Sequence, residues 1–177
     1  MRSALLFLAV LTCLVPAGAA AAQSAPQQGR PYYIEYRGRT GGVLGHAYIT
    51  YGRLDGRGRP AETRYAGFYP RDEYEEALMT FGPLVAAPAY VGVDKKDRVT
   101  PPSAVYRRNL TAREYAHLQF VLRQMRMSKL TWHLAFHNCN DFVGEVAKEM
   151  GLVIPPAWGP PDLYINGLRA LNGSTPP

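Results

Sequence analysis

The sequence predicts an α+β domain, on three observations. Several runs rich in aromatic and β-branched residues lie in the first two thirds of the chain, two capped amphipathic helices follow, and no second core is in evidence. The 177-residue chain begins "MRSALLFLAVLTCLVPAGAAAAQ", with Arg2, an apolar run from Ala4 to Val15 and small residues ending at Ala22. This pattern predicts a signal peptide over 1–22, too short in its apolar part to span a membrane. A flexible segment, 23–30, precedes the domain at 31–154, and a Pro-rich extension with a short helix occupies 155–177. Export implies a periplasmic or secreted protein.

The strands come first. "PYYIEYRG" (31–38) and "GHAYITYGR" (45–53) read as strands. In the second, His46, Tyr48 and Thr50 share one face and Ala47, Ile49 and Tyr51 the other. "LDGRGRPA" supplies turn residues, so "TRYAGFYP" (63–70) completes a hairpin over 45–70. The acids after Pro70 predict a short helix over 71–80. Residues 81–102 read as loop with one strand near Tyr90 to Val93, and "SAVYRRN" (103–109) as another strand.

The helices carry sharper signals. Thr111 and Glu114 form a capping box, Leu110 and Tyr115 a hydrophobic staple, and Tyr115, Leu118, Leu122 and Met125 one apolar stripe as far as Met127. "TWHLAFH" (131–137) alternates, which predicts a strand with Trp132, Leu134 and Phe136 packed inward. His133 and His137 would be possible metal ligands only on a helix, and no metal site is expected. Asn138 then caps a helix whose apolar positions Phe142, Val143, Val146, Ala147 and Met150 run to a stop at Gly151.

Cys139 heads that helix. The chain has two cysteines, and Cys13 leaves with the signal, so Cys139 is the lone thiol of the exported protein. At the first turn the helix dipole and unsatisfied N–H groups predict a thiol pKa below that of free cysteine. Asp141 opposes this where it faces the sulfur. A nucleophilic thiol needs a base, and His46, between Gly45 and Ala47, is a strand histidine that a helix end can approach; His137 is its rival. Core packing is the alternative role for the thiol.

"GHAYI" followed by "NCNDFV" resembles the circularly permuted branch of the papain-like NlpC/P60 thiol hydrolase superfamily, which includes lecithin:retinol acyltransferase-like, PPPDE-like and YiiX-like proteins. The resemblance covers roughly Tyr32 to Gly151. It implies an antiparallel sheet packed on the cysteine helix, Cys139 as nucleophile, His46 as general base and no cofactor. Many members carry a third polar residue on the following strand. Here that strand offers no His, Asn or Gln, which leaves Tyr65 or Thr63, or a dyad. The backbone N–H of Cys139, with side-chain donors from Asn138 or Asn140, is expected to hold the oxyanion.

The resulting expectation is an exported cysteine hydrolase that cleaves an amide of a cell-wall or other peptide through an acyl-enzyme. Lipid acyl hydrolysis or acyl transfer at a membrane surface, and silent peptide or lipid binding on the same fold, are the alternatives. The net charge of +6 suits peripheral contact with anionic surfaces. No aromatic-interleaved basic stripe suggests nucleic acid. Trp158 is expected to pack on the core, a wall of the cleft being its alternative place, and Leu163, Leu168 and Leu171 to be available for docking.

Overall fold

A computed structural model describes residues 29–41, 45–71, 74 and 85–173. The predicted signal peptide lies outside the described residues, as does all of the predicted helix over 71–80 except Arg71 and Tyr74. Six strands form one antiparallel sheet: β1 (Tyr32–Arg39), β2 (His46–Leu54), β3 (Pro60–Pro70), β4 (Ala86–Gly92), β5 (Ala104–Leu110) and β6 (Leu130–His133). Their order is β5-β1-β2-β3-β4-β6. Among the described residues four helices join them: α1 (Lys95–Val99), α2 (Ala112–Met127), α3 (Cys139–Glu149) and α4 (Pro161–Asn172). The fold is therefore α+β.

One sheet face makes the main core. Ile34, Tyr36, Ala47, Ile49, Ala66 and Phe68 meet Phe142, Val143, Val146 and Ala147 of α3 and Tyr164, Ile165 and Leu168 of α4. Period-two alternation sends Tyr33, Glu35, His46, Tyr48 and Thr50 to the other face, and these too are buried. There Glu35 is held by Arg37, by Arg107 Nε at 2.7 Å and by the Thr50 hydroxyl at 3.0 Å. Burial pushes the Glu35 carboxyl up, but the two guanidiniums prevail and hold it below the usual range.

The capping box at Thr111 is present, with Glu114 N–H donating to Thr111 Oγ1 at 3.2 Å and Thr111 N–H to the Glu114 carboxylate at 2.7 Å. Two expectations change. The strand in "TWHLAFH" ends at His133, because residues 134–136 turn and the His137 N–H donates back to the His133 carbonyl at 3.0 Å. Trp132 stays buried, but Phe136 is 80% exposed, since a turn does not preserve alternation. The helix of the C-terminal segment docks on the sheet: Pro161, Tyr164, Ile165 and Leu168 of α4 are buried, and α4 lies across β1 and β5. Leu168 is thus core, while Leu163 and Leu171 are exposed. Asn172 staples the segment, accepting from the Val153 N–H at 2.9 Å and donating to the Val153 carbonyl at 2.7 Å.

The sheet splits at one end, between its two central strands. β2 pairs with β1 as far as His46, and β3 pairs with β4 as far as Pro70, but the β2–β3 ladder stops at Tyr48 opposite Gly67. Beyond that point β2 and β3 part, leaving Ala47 without a ladder partner on β3.

No described helix is long and apolar enough to cross a membrane.

Candidate active site

Cys139 stands at the first position of α3, facing the split. The helix starts there for local reasons: Asn138 Oδ1 accepts from the Asn140 N–H at 2.8 Å, and Asp141 closes a capping box by accepting from the Asn138 N–H at 2.9 Å. The thiol is partly buried against the core. Burial pushes its pKa up, against the backbone N–H groups of Ala47, Cys139 and Asn140, and Asp141 adds to the rise. The thiol therefore lies above its ordinary value, contrary to the expectation from the helix end alone. Desolvation outweighs the dipole where the first turn is packed under a sheet.

His46 is 7% exposed and opens β2. Burial lowers its pKa to about 4; Asp97 pulls the other way and Arg39 adds to the fall. The ring is therefore neutral at pH 7. Its Nε2 is buried without a hydrogen-bond partner and lies 3.7 Å from Asp97 Oδ2. Tyr69 stacks on the imidazole, with centroids 4.7 Å apart, and donates its hydroxyl to Asp97. Arg39 Nε holds the other Asp97 oxygen at 3.0 Å. Gly67 leaves the space this cluster needs: a Cβ there would collide with the Tyr69 hydroxyl and stand 2.8 Å from His46 Nε2.

Sequence reasoning misses Asp97 and Tyr69. Asp97 is 2% exposed, on the five-residue α1, within a stretch that reads as loop. The signal that could find it is "DKKD": Asp94 caps α1, accepting from the Lys96 N–H, and Asp97 follows three residues on, in the pattern of a capping box. A helix of five residues is too short to display periodicity.

Tyr65, the expected third residue, is opposite Thr50, with the Arg98 guanidinium 5.7 Å from its ring centroid, and does not line the cleft. Thr63 is hydrogen-bonded to the Tyr33 hydroxyl at 2.7 Å. The same strand does supply a polar residue to His46, but it is Tyr69, where β3 has left β2.

The asparagines serve the scaffold. Asn138 Nδ2 donates to the Leu134 carbonyl at 2.8 Å, and Asn140 Nδ2 donates to the carbonyls of Ala157 at 3.3 Å and Gly159 at 3.0 Å. Asn140 thus has no side-chain donor to spare for an oxyanion, and the Asn138 amide is directed at the preceding turn. The backbone N–H of Cys139, at the first helical position, has no intrahelical acceptor and faces the thiol.

His137, the rival base, has both nitrogens engaged. Its Nδ1 lies 2.8 Å from the Thr131 carbonyl and its Nε2 3.4 Å from Glu145, which raises its pKa. His117 pairs with Glu149 at 3.4 Å on the surface. Among the described residues no group of three His, Cys, Asp or Glu is placed to hold a metal ion.

Cys139 and His46 line one cleft of about 760 Å³ with Arg39, Asp94, Lys96, Phe68, Trp132 and Trp158. No hydrogen bond joins the two among the described residues. The thiol approaches the split from the helix side of the sheet and the imidazole from the other face. The cleft therefore holds a thiol at a helix N-terminus and a buried, neutral imidazole whose Nε2 has no hydrogen-bond partner and faces a carboxylate.

No family model matches the sequence. No curated protein matches it either. One solved structure, described as the type VI secretion system effector TseH, is similar to this chain, with 16% sequence identity over 81% of this chain and 91% of that one, and a TM-score of 0.44.

Proposed function

We propose that the protein is an exported cysteine hydrolase of the permuted NlpC/P60 type, with Cys139 as nucleophile, His46 as general base and Asp97 orienting the imidazole. The observation that carries this reading is the neutral His46 ring in the cleft of Cys139, with Nε2 turned toward Asp97. With its proton on Nε2, the ring presents Nδ1 as the acceptor for the thiol proton. Cys139 then attacks an amide carbonyl; the sulfur–carbon bond forms as the proton passes to His46, which returns it to the leaving amine. Water, deprotonated by the same imidazole, hydrolyses the thioester. The Cys139 N–H receives the developing oxyanion.

The resting pair is thiol and neutral imidazole, because burial disfavours both charges. Tyr69 stacks on the ring, and Asp97, 3.7 Å from Nε2, favours the imidazolium that forms during attack. The substrate class proposed is a peptide amide, cell-wall peptides included, with the basic chain favouring anionic surroundings. A silent binding domain is the second reading, favoured by the missing hydrogen bond between His46 and Cys139.

Alkylation and turnover separate the two. Iodoacetamide is expected to label Cys139 in the folded protein, with a rate rising through an apparent pKa above that of free cysteine, about 8.5. On a panel of peptide amides, Cys139→Ser abolishes turnover, and His46→Ala lowers kcat about 10²–10⁴-fold. The acid limb of kcat/KM lies near pH 4 and moves lower in Asp97→Asn, which removes the group that raises the His46 pKa. A thiol unlabelled until the protein unfolds, with no turnover on any panel member, would replace the hydrolase with the binding domain.

A further inference from the structure

Trp158 is 85% exposed, although it belongs to a segment that is otherwise tied down, and it lines the cleft of Cys139. The expectation that it packs on the core is overturned. An isolated exposed tryptophan is ordinary on a loose loop, but this loop is fixed at several points. Residues 155–161 include Pro155, Pro156, Pro160 and Pro161, which restrict the backbone. Asn140, 3% exposed and adjacent to the nucleophile in sequence, donates to the carbonyls on both sides of Trp158, those of Ala157 and Gly159. Gly159, at φ 84°, makes the turn after the indole. Pro161 is buried at the start of α4, where its ring would be 3.3 Å from a Cβ on Gly45, the residue before His46.

The strap bearing Trp158 is therefore anchored both to the helix of Cys139 and to the approach to His46. Its indole stands largely in water on a backbone that is already fixed, so binding a ligand there orders the side chain alone. Other ring-bearing walls of the same cleft include Phe68, Tyr69, Trp132, Pro160 and Pro161. Flat apolar surfaces of this kind reward a flat apolar group by area and by ring stacking.

We propose that Trp158 is a specificity-determining residue: its exposed indole, on a backbone that Asn140 holds, stacks on a planar apolar group, an aromatic ring above all, carried next to the carbonyl that Cys139 attacks. Asn140 is the positioning residue. This rests on the reading of Cys139 as the reactive thiol, and its test separates the two.

The full chain without its predicted signal is alkylated with iodoacetamide and with N-benzyl-iodoacetamide, each rate at Cys139 being read by mass spectrometry and divided by the same reagent's rate with glutathione. The benzyl reagent is expected to be preferred about tenfold. Trp158→Ala removes the preference, the normalised ratio of the two rates falling to about one, and Trp158→Phe retains most of it. An unchanged preference in Trp158→Ala overturns the proposal. Unreactive N-benzylacetamide is titrated in parallel against the indole N–H resonances. A saturable shift of the Trp158 signal supports the stacking platform even where neither reagent labels the thiol, an outcome that defeats the nucleophile alone. No shift and no preference overturns the platform whatever the thiol does.

Discussion

Lowering the pH from 7.5 to 4 is expected to remove stability specifically through His46. The imidazole is 7% exposed and its folded pKa is about 4, against an ordinary value of 6.5. Because the folded pKa is depressed, the unfolded chain binds this proton first. Stability contributed by the neutral ring is complete above the unfolded pKa and falls as pH drops from 6.5 toward 4; below 4 both states are protonated and the loss levels off. Integrated between those two values, the loss is about 2 kcal/mol by pH 5 and about 3 kcal/mol by pH 4. The assay is urea unfolding of the wild type and of His46→Gln at pH 7.5, 6 and 5. At a slope of about 2 kcal/mol per molar urea, the wild-type midpoint falls about 1 M further than the variant's by pH 5. Every other titrating group is common to both proteins. These include His137, whose raised pKa acts in the opposite sense, contributing stability that is lost as pH rises through its folded value. The gap between the two curves therefore isolates His46. Parallel curves across the range would refute a buried neutral imidazole, and with it the proton acceptor the mechanism needs.

Two further substitutions probe the scaffold. Gly67→Ala places a Cβ against the Tyr69 hydroxyl and His46 Nε2, so it is expected to cost about 1–3 kcal/mol in urea unfolding and to lower turnover by displacing the base; full activity at wild-type stability would mean that the ring and the tyrosine yield freely. Thr111→Ala removes the side-chain half of the capping box on α2 and is expected to lower stability by about 1 kcal/mol while leaving Cys139 alkylation unchanged, as an altered alkylation rate would reveal coupling between α2 and the cleft.

What the sequence determined was whatever depends on near neighbours in the chain. Asn138, Asp141 and the stripe from Phe142 to Met150 specify a helix with Cys139 at its first position, because capping and 3.6-residue periodicity act within a few turns. The alternation around His46 and the turn after Leu54 specify the central hairpin in the same way. The α+β class followed from those elements.

The tertiary structure decided what burial and distant contacts control. It carried Asp97 from a short helix to within 3.7 Å of His46, and used Tyr69 rather than Tyr65 because β2 and β3 part beyond Gly67. It turned the chain at Leu134, so that Phe136 faces water despite its place in an alternating run. It reversed the expected thiol shift, since the dipole is local to α3 while the desolvation comes from the sheet packed over it. It also left Trp158 exposed, because Asn140 spends its donors on the carbonyls flanking that residue. Caps and periodicity are short-range and additive enough to be read along the chain. Desolvation and strand divergence arise only when segments far apart in sequence compete for the same space.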